Sequence, residues 1–142
     1  MDLRTDESIP GDQLVQLYQA VGWEAYVQDP EGLARAVANS TLVVAAWQED
    51  RLIGLARCLS DDVAIVYLQD ILVHPDWQGQ GVGRQLLEAC LKRFAHVRQK
   101  VLLTDDEERQ RIFYESMGFV NTREFAPWTL NAYVMIKGLT DR

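Results

Sequence analysis

Residues Gln78-Gly79-Gln80-Gly81-Val82-Gly83 stand between an apolar run, 63–73, and an amphipathic run, 84–97. This loop restricts the fold more than any other stretch of the chain. His74-Pro75-Asp76-Trp77 makes a turn just before it, so the order is strand, glycine loop, helix. Glycine lets the backbone bend tightly and approach a ligand without a Cβ in the way. A loop that opens a helix also gathers unpaired amide N–H groups and the positive end of the helix dipole. Such a loop suits an anion, above all a phosphate or pyrophosphate. A dinucleotide fingerprint would need a third glycine where this chain has Arg84. A P-loop would end in Gly-Lys-Ser/Thr, but the residues here are Gly83-Arg84-Gln85. What remains is Gln78-x-x-Gly81-x-Gly83. The plainer alternative is a glycine-rich connection with no ligand.

Periodicity supplies the neighbouring elements. Leu14, Val15, Leu17, Tyr18 and Val21 form a helical stripe over 12–22, ended by Gly22. Asp29-Pro30 starts a second helix, which carries Leu33 and Val37 to about Asn39. Residues 41–47 and 52–59 read as a hairpin around Gln48-Glu49-Asp50-Arg51. Ser60-Asp61-Asp62 turns the chain into the long strand 63–73, which completes an antiparallel meander. Leu87, Leu91 and Phe94 give the helix at 84–97 a face for the sheet. A short strand at 101–104, a helix at 106–117 capped by Gly118, and strands at 119–123 and 132–136 complete the expectation. The class is α/β, with one domain over 1–142.

Composition excludes several functions. A net charge of −7 opposes binding to nucleic acid, which demands a basic surface, and suits a cationic partner such as an amine. No apolar run nears the roughly 20 residues of a membrane span, and the acidic N-terminus lacks the pattern of a signal peptide. The expectation is a cytoplasmic protein without a membrane partner, either monomer or homodimer. Cys58 and Cys90 read as buried free thiols. With His74 and His96 they lack metal-ligand spacing, so no metal is expected.

The loop resembles the acyl-CoA signature of the GNAT superfamily of N-acetyltransferases, in which (Arg/Gln)-x-x-Gly-x-(Gly/Ala) cradles the pyrophosphate of acetyl-CoA. Ile71-Leu72-Val73-His74-Pro75-Asp76-Trp77 is similar to the family's strand before that loop. Leu52-Ile53-Gly54-Leu55-Ala56-Arg57 is similar to its third strand, and Phe113-Tyr114-Glu115-Ser116-Met117-Gly118-Phe119 to its "FYEKxGF" segment. Val21-Gly22-Trp23, Asn39-Ser40, Ala56-Arg57 and Ser60-Asp61 add a similarity to the plant serotonin N-acetyltransferase-like subgroup and its small bacterial homologues. The resemblance implies a GNAT fold. Its central sheet is mixed, mostly antiparallel and splayed between strands four and five (63–73 and 101–104), with helices on both faces.

It also implies an acetyl-CoA-dependent transfer of the acetyl group to a primary amine, of a small molecule before a protein lysine or N-terminus. A non-catalytic acyl-CoA-binding module is the rival of another class. Backbone groups of Ile71, Leu72 and Val73 would hold the pantetheine arm and the acetyl carbonyl. Gln78, Gly79, Gln80, Gly81, Val82, Gly83 and Arg84 would hold the pyrophosphate. Tyr114 would protonate the leaving thiolate, and packing on its helix is the plainer alternative. Glu107 stands where many relatives place an Asn that contacts the cofactor, so that contact does not carry over.

The family's base positions hold Tyr67 and Leu102 here, so no direct base carries over either. Asp70, an acid inside an apolar strand, is the first alternative, since such a group needs a partner or a role. A structural hydrogen bond to a neighbouring loop is the plainer reading. Asp105 and Asp106 follow, with a helix cap as their plainer reading. Trp23, Tyr26 and Trp128 are the large side chains expected around the amine, where cation–π contact suits an ammonium. Ordinary packing is the alternative for all three. Cys58 and Cys90 carry no nucleophile motif, so transfer is expected to be direct, through a ternary complex.

Overall fold

Strands β1 (Asp2–Thr5), β2 (Leu42–Gln48), β3 (Arg51–Ser60), β4 (Ile65–Val73) and β5 (Gln99–Leu102) lie side by side in that order in the computed structural model, which describes residues 1–141. The first four pair antiparallel, and β4 pairs parallel to β5. The helices are α1 (Gly11–Ala20), α2 (Glu24–Val27), α3 (Pro30–Ala38), α4 (Val82–Arg93) and α5 (Glu108–Ser116). Two compact units divide the chain, Met1–Leu103 and Thr104–Arg142. The first contains the whole sheet.

Alternation along β2 and β3 sends side chains to opposite faces. On one face Val43, Ala45, Leu55 and Leu72 meet Leu14, Leu17 and Tyr18 of α1 and Leu33 and Val37 of α3. On the other face α4 lies close against Gly54. A Cβ there would stand 3.1 Å from Leu86 Cδ1 and 3.2 Å from Val82 Cγ1. The sheet thus carries helices on both faces, the mixed α/β arrangement expected.

Local chemistry sets the element ends. Asp29 caps α3, its Oδ1 accepting from the Gly32 amide at 3.0 Å, with Pro30 in the first turn. Asp61 Oδ1 accepts from the amides of Val63, Ala64 and Ile65. That Asx turn occupies the amides of residues 63 and 64, and β4 begins at Ile65 rather than 63. Helix α4 begins at Val82 and ends at Arg93, not 84–97. Gly81, at φ 85°, is its left-handed cap, and Phe94 to Val97 form a turn closed by Val97 N donating to Phe94 O.

Two expected strands do not form. At 119–123, Asn121 Oδ1 accepts from the Arg123 amide at 3.0 Å and nucleates a 3-10 turn, Thr122–Glu124. Residues 132–136 are apolar but have no ladder. Tyr133 and Met135 are 90 % and 95 % exposed, and the Ile136 carbonyl accepts from Leu139 and Thr140 in a turn. A strand needs partners for its backbone groups, and without them local turns win.

Candidate active site

The parallel pairing of β5 ends at Leu68↔Leu102, yet β4 continues to Val73. The register with β3 slips at the same place: Arg57 faces Asp70 and Cys58 faces Leu68, leaving Gln69 as an extra residue. Such a bulge kinks a strand, re-aims its side chains and ends pairing. Beyond it Ile71, Leu72 and Val73 keep β3 on one side, opposite Ala56, Leu55 and Gly54, and have no β5 residue on the other. The splay therefore lies between β4 and β5, as the resemblance implied, and residues 69–73 of β4 have no β5 partner.

This edge leads into the glycine loop. His74 N donates to Ile53 O at 2.8 Å, and His74 Nδ1 accepts from the Asp76 amide, which tightens the turn. The Arg51 guanidinium packs 5.0 Å over the Trp77 ring. Gln78 Nε2 donates back to Val73 O at 3.0 Å, so Gln78 ties the loop to the strand end. Gln80 Nε2 reaches Asp76 O at 3.4 Å. Gly79 and Gly81 hold φ of 78° and 85°, which a side chain would strain. Gln85 N makes the helical bond to Gly81 O, and no side chain caps α4. The amides of its first turn, Val82 to Arg84, precede that bond and open toward the loop. Arg84 is exposed and 3.6 Å from Glu88. The residues present fit a diphosphate: a helix start with no side-chain cap, two left-handed glycines and no carboxylate at Gln78 to Arg84.

Asp70 faces away from α4, into a buried polar cluster under α1 and α2. Asp70 and Arg57 are 3 % and 6 % exposed. Arg57 Nε donates to Asp70 Oδ2 at 2.6 Å, Tyr18 OH to the same oxygen at 2.9 Å, and Tyr26 OH to Oδ1 at 3.1 Å. Arg57 also donates to Tyr26 OH and to Ser40 Oγ. Gln69 Nε2 donates to Tyr26 OH at 3.2 Å. Burial disfavours charge on Arg57, but the Asp70 carboxylate and Tyr26 outweigh it and raise its pKa. Burial first, then Asp70, pushes the Tyr18 phenol up. The same two causes raise Tyr67.

Trp23 and Tyr26 come together, ring centroids 6.3 Å apart, both against Tyr18. Tyr114 and Trp128 belong to the second unit. Tyr114 lies on α5 between the rings of Phe113 and Phe119. Trp128 is 63 % exposed and packs on Phe125. Cys58 and Cys90 are buried and free, and the Cys90 thiol together with burial raises the pKa of Cys58. Among the described residues no His/Cys/Asp/Glu group could hold a metal ion, and no helix is long and apolar enough to cross a membrane. Arg57 and Gln69 were not among the expected site residues. Arg57 carried the signal that marked Asp70, a charge inside an apolar strand.

The profile of the acetyltransferase (GNAT) domain family matches residues 14–126. An uncharacterized N-acetyltransferase ycf52-like protein of Prochlorococcus marinus is 35 % identical over 122 residues, covering 83 % of this chain and 62 % of that protein. The chain thus spans less than two-thirds of that relative's length. A GNAT-family acetyltransferase of Streptococcus pneumoniae superposes with a TM-score of 0.81 at 29 % identity, covering 96 % of this chain and 98 % of that one. An aminoglycoside N-acetyltransferase solved with CoA shares the fold, with a TM-score of 0.68 at 16 % identity over 92 % of this chain and 95 % of that one.

Proposed function

The chain belongs to the GNAT acetyltransferase family, and from that premise we propose that it transfers the acetyl group of acetyl-CoA directly to a primary amine of a small molecule. The observation that carries this reading is the β4 edge, left without β5 from Gln69 and running straight into the Gly81-capped α4. An extended ligand with a thioester at one end and a diphosphate at the other fits that path. The stretch Ile71, Leu72 and Val73, past the end of β5, offers backbone groups to the pantetheine arm and a donor to the acetyl oxygen, where charge builds in the tetrahedral state. Gln78 to Arg84 hold the pyrophosphate. Residues 1–142 act as one domain, and the family match runs across both units.

Tyr114 gives a proton to the leaving thiolate. A phenol, with an ordinary pKa of about 10, is a suitable acid for a thiolate whose thiol has a pKa of about 8.5. The amine approaches from the α1–α2 face, where Trp23 and Tyr26 supply an aromatic wall, with Trp128 a further contact. Asp70 belongs to the amine's side of the reaction and acts through the Tyr26 hydroxyl that donates to it. Only the neutral amine attacks, so the rate rises with pH until the acceptor is deprotonated.

The test is a thiol-release screen with acetyl-CoA and four acceptor classes: arylalkylamines, polyamines, aminoglycosides and peptides. Release with a small amine and formation of its N-acetyl product supports the reading. Acetylation of peptide lysines alone favours a protein acceptor. Acetyl-CoA binding without release in any arm makes the chain a non-catalytic acyl-CoA-binding module.

A further inference from the structure

We propose that the side-chain carbonyl of Gln69 is the hydrogen-bond anchor of the acceptor amine, aimed by Tyr26 and, behind it, by Arg57 and Asp70. The inference rests on the amine-acetyltransferase reading above and names a residue of that site.

Gln69 is the extra residue of the β4 bulge, at the point where β5 leaves the sheet. It is exposed, whereas Leu68 and Asp70 on either side are buried. Proton bookkeeping fixes its amide. Asp70 Oδ1 can only accept, so the Tyr26 hydroxyl commits its one proton to it. Arg57 Nη2 can only donate, so it occupies one lone pair of the same hydroxyl, at 3.1 Å. The remaining lone pair requires a donor, and Gln69 must therefore present Nε2 rather than Oε1. The carbonyl end of the amide is left outward. Among the described residues Gln69 Oε1 accepts no hydrogen bond.

Position and charge select the ligand. Gln69 lies two residues from Ile71, about 7 Å along an extended strand, which is within the reach of a glutamine side chain. Its link to Tyr26 places it on the α2 face, opposite α4, so an amine held there meets the thioester from the side away from the diphosphate. The Asp70 carboxylate is already matched by Arg57 and two phenols, and it offers an incoming ammonium no unpaired charge. The acceptor that remains is a neutral carbonyl. It accepts one N–H of the free base and leaves the nitrogen lone pair clear for attack, and unlike a carboxylate it adds no negative charge to hold the amine protonated.

The experiment measures steady-state kinetics of Gln69→Met, Tyr26→Phe and the double variant with 2-phenylethylamine, spermidine and kanamycin. Gln69→Met keeps the length of the chain and removes both polar ends. The expected result is a fall in kcat/KM for the accepted amine of about tenfold, the scale of one lost hydrogen bond. The KM for acetyl-CoA and the melting temperature should not move. Tyr26→Phe frees the amide, so the double variant should lose no more amine kcat/KM than the worse single one. In wild type the pH profile of kcat/KM should follow the free-solution pKa of the amine. Wild-type amine kinetics in Gln69→Met, an equal rise in both KM values, or independent multiplication of the two effects overturns the proposal while leaving the acetyltransferase reading standing. Wild-type protein inert toward all three amines overturns the reading and the proposal together.

Discussion

Arg57 and Asp70 face each other across β3 and β4, with Nε and Oδ2 2.6 Å apart and side chains only 7 % and 3 % exposed. Two charges in a core cost free energy unless each is matched. Here Tyr18, Tyr26 and Ser40 complete the matching. Arg57→Met should leave the carboxylate buried and unpaired, and should destabilise the fold by about 3–5 kcal/mol. Arg57→Met with Asp70→Leu should recover much of that loss. Urea unfolding measures both, and wild-type stability in the single variant would contradict the pairing.

Asp70→Asn bears on function. It keeps the shape but removes the charge, and leaves one acceptor oxygen where Asp70 uses two. The expectation is a lower kcat/KM for the amine, by about tenfold if one charge-assisted contact is lost, with the KM for acetyl-CoA unchanged. Unaltered amine kinetics in a folded variant would confine Asp70 to the core.

Much of this arrangement could be read in advance, and the exceptions have physical reasons. The glycine loop, α4 and the meander rest on local signals: closely spaced glycines, a 3.6-residue stripe and apolar runs separated by polar turns. Strand β1 has only four residues, of which Asp2, Arg4 and Thr5 are polar, so it shows no apolar pattern and exists through its pairing with β2. The bulge at Gln69 is a property of register and cannot appear in one strand alone. Asp70 was visible as an acid in an apolar run, but its partners lie 13, 44 and 52 residues away. The run 132–136 shows the opposite failure, a strand-like pattern without a strand to pair with.

The glycines near α4 should separate cofactor binding from folding. A Cβ at Gly81 would meet nothing within 4 Å, so Gly81→Glu should cost chiefly the left-handed backbone strain, about 1–2 kcal/mol. Its carboxylate would face the diphosphate and abolish acetyl-CoA binding. Gly54→Ala pushes on Leu86, Val82 and the Leu72 carbonyl at 3.1, 3.2 and 3.3 Å. It should shift the start of α4 and weaken binding to a lesser degree. Calorimetry that finds wild-type affinity in folded Gly81→Glu would remove the loop from the cofactor site.

Tyr114→Phe keeps the ring between Phe113 and Phe119 and removes the hydroxyl proton. The expected fall in kcat is about 100- to 10,000-fold, the range for a positioned general acid, with acetyl-CoA affinity nearly unchanged. A wild-type single-turnover rate would return Tyr114 to a packing role.

Asp62 gives a prediction in acid. Bonds from Arg93, joined by His96, lower its pKa from 3.8 to about 2. A carboxylate depressed in the folded state stabilises fully above 3.8 and loses that contribution as pH falls through about 2. The carboxyl carbon of Asp62 should therefore titrate near 2 in the folded protein, and Arg93→Gln should move its midpoint back toward 3.8. A wild-type midpoint already at 3.8 would contradict the pairing.

The central claim is direct acetyl transfer from CoA to a small amine at the β4 edge past the end of β5. Acetyl-CoA labelled in its acetyl carbon, mixed in a single turnover with excess protein and the best small amine of the screen, tests it most directly. The account predicts that the label passes to the N-acetyl amine as free CoA appears, with no labelled protein formed on the way. Label that stays on CoA despite tight binding, or that ends only on protein side chains, would contradict it.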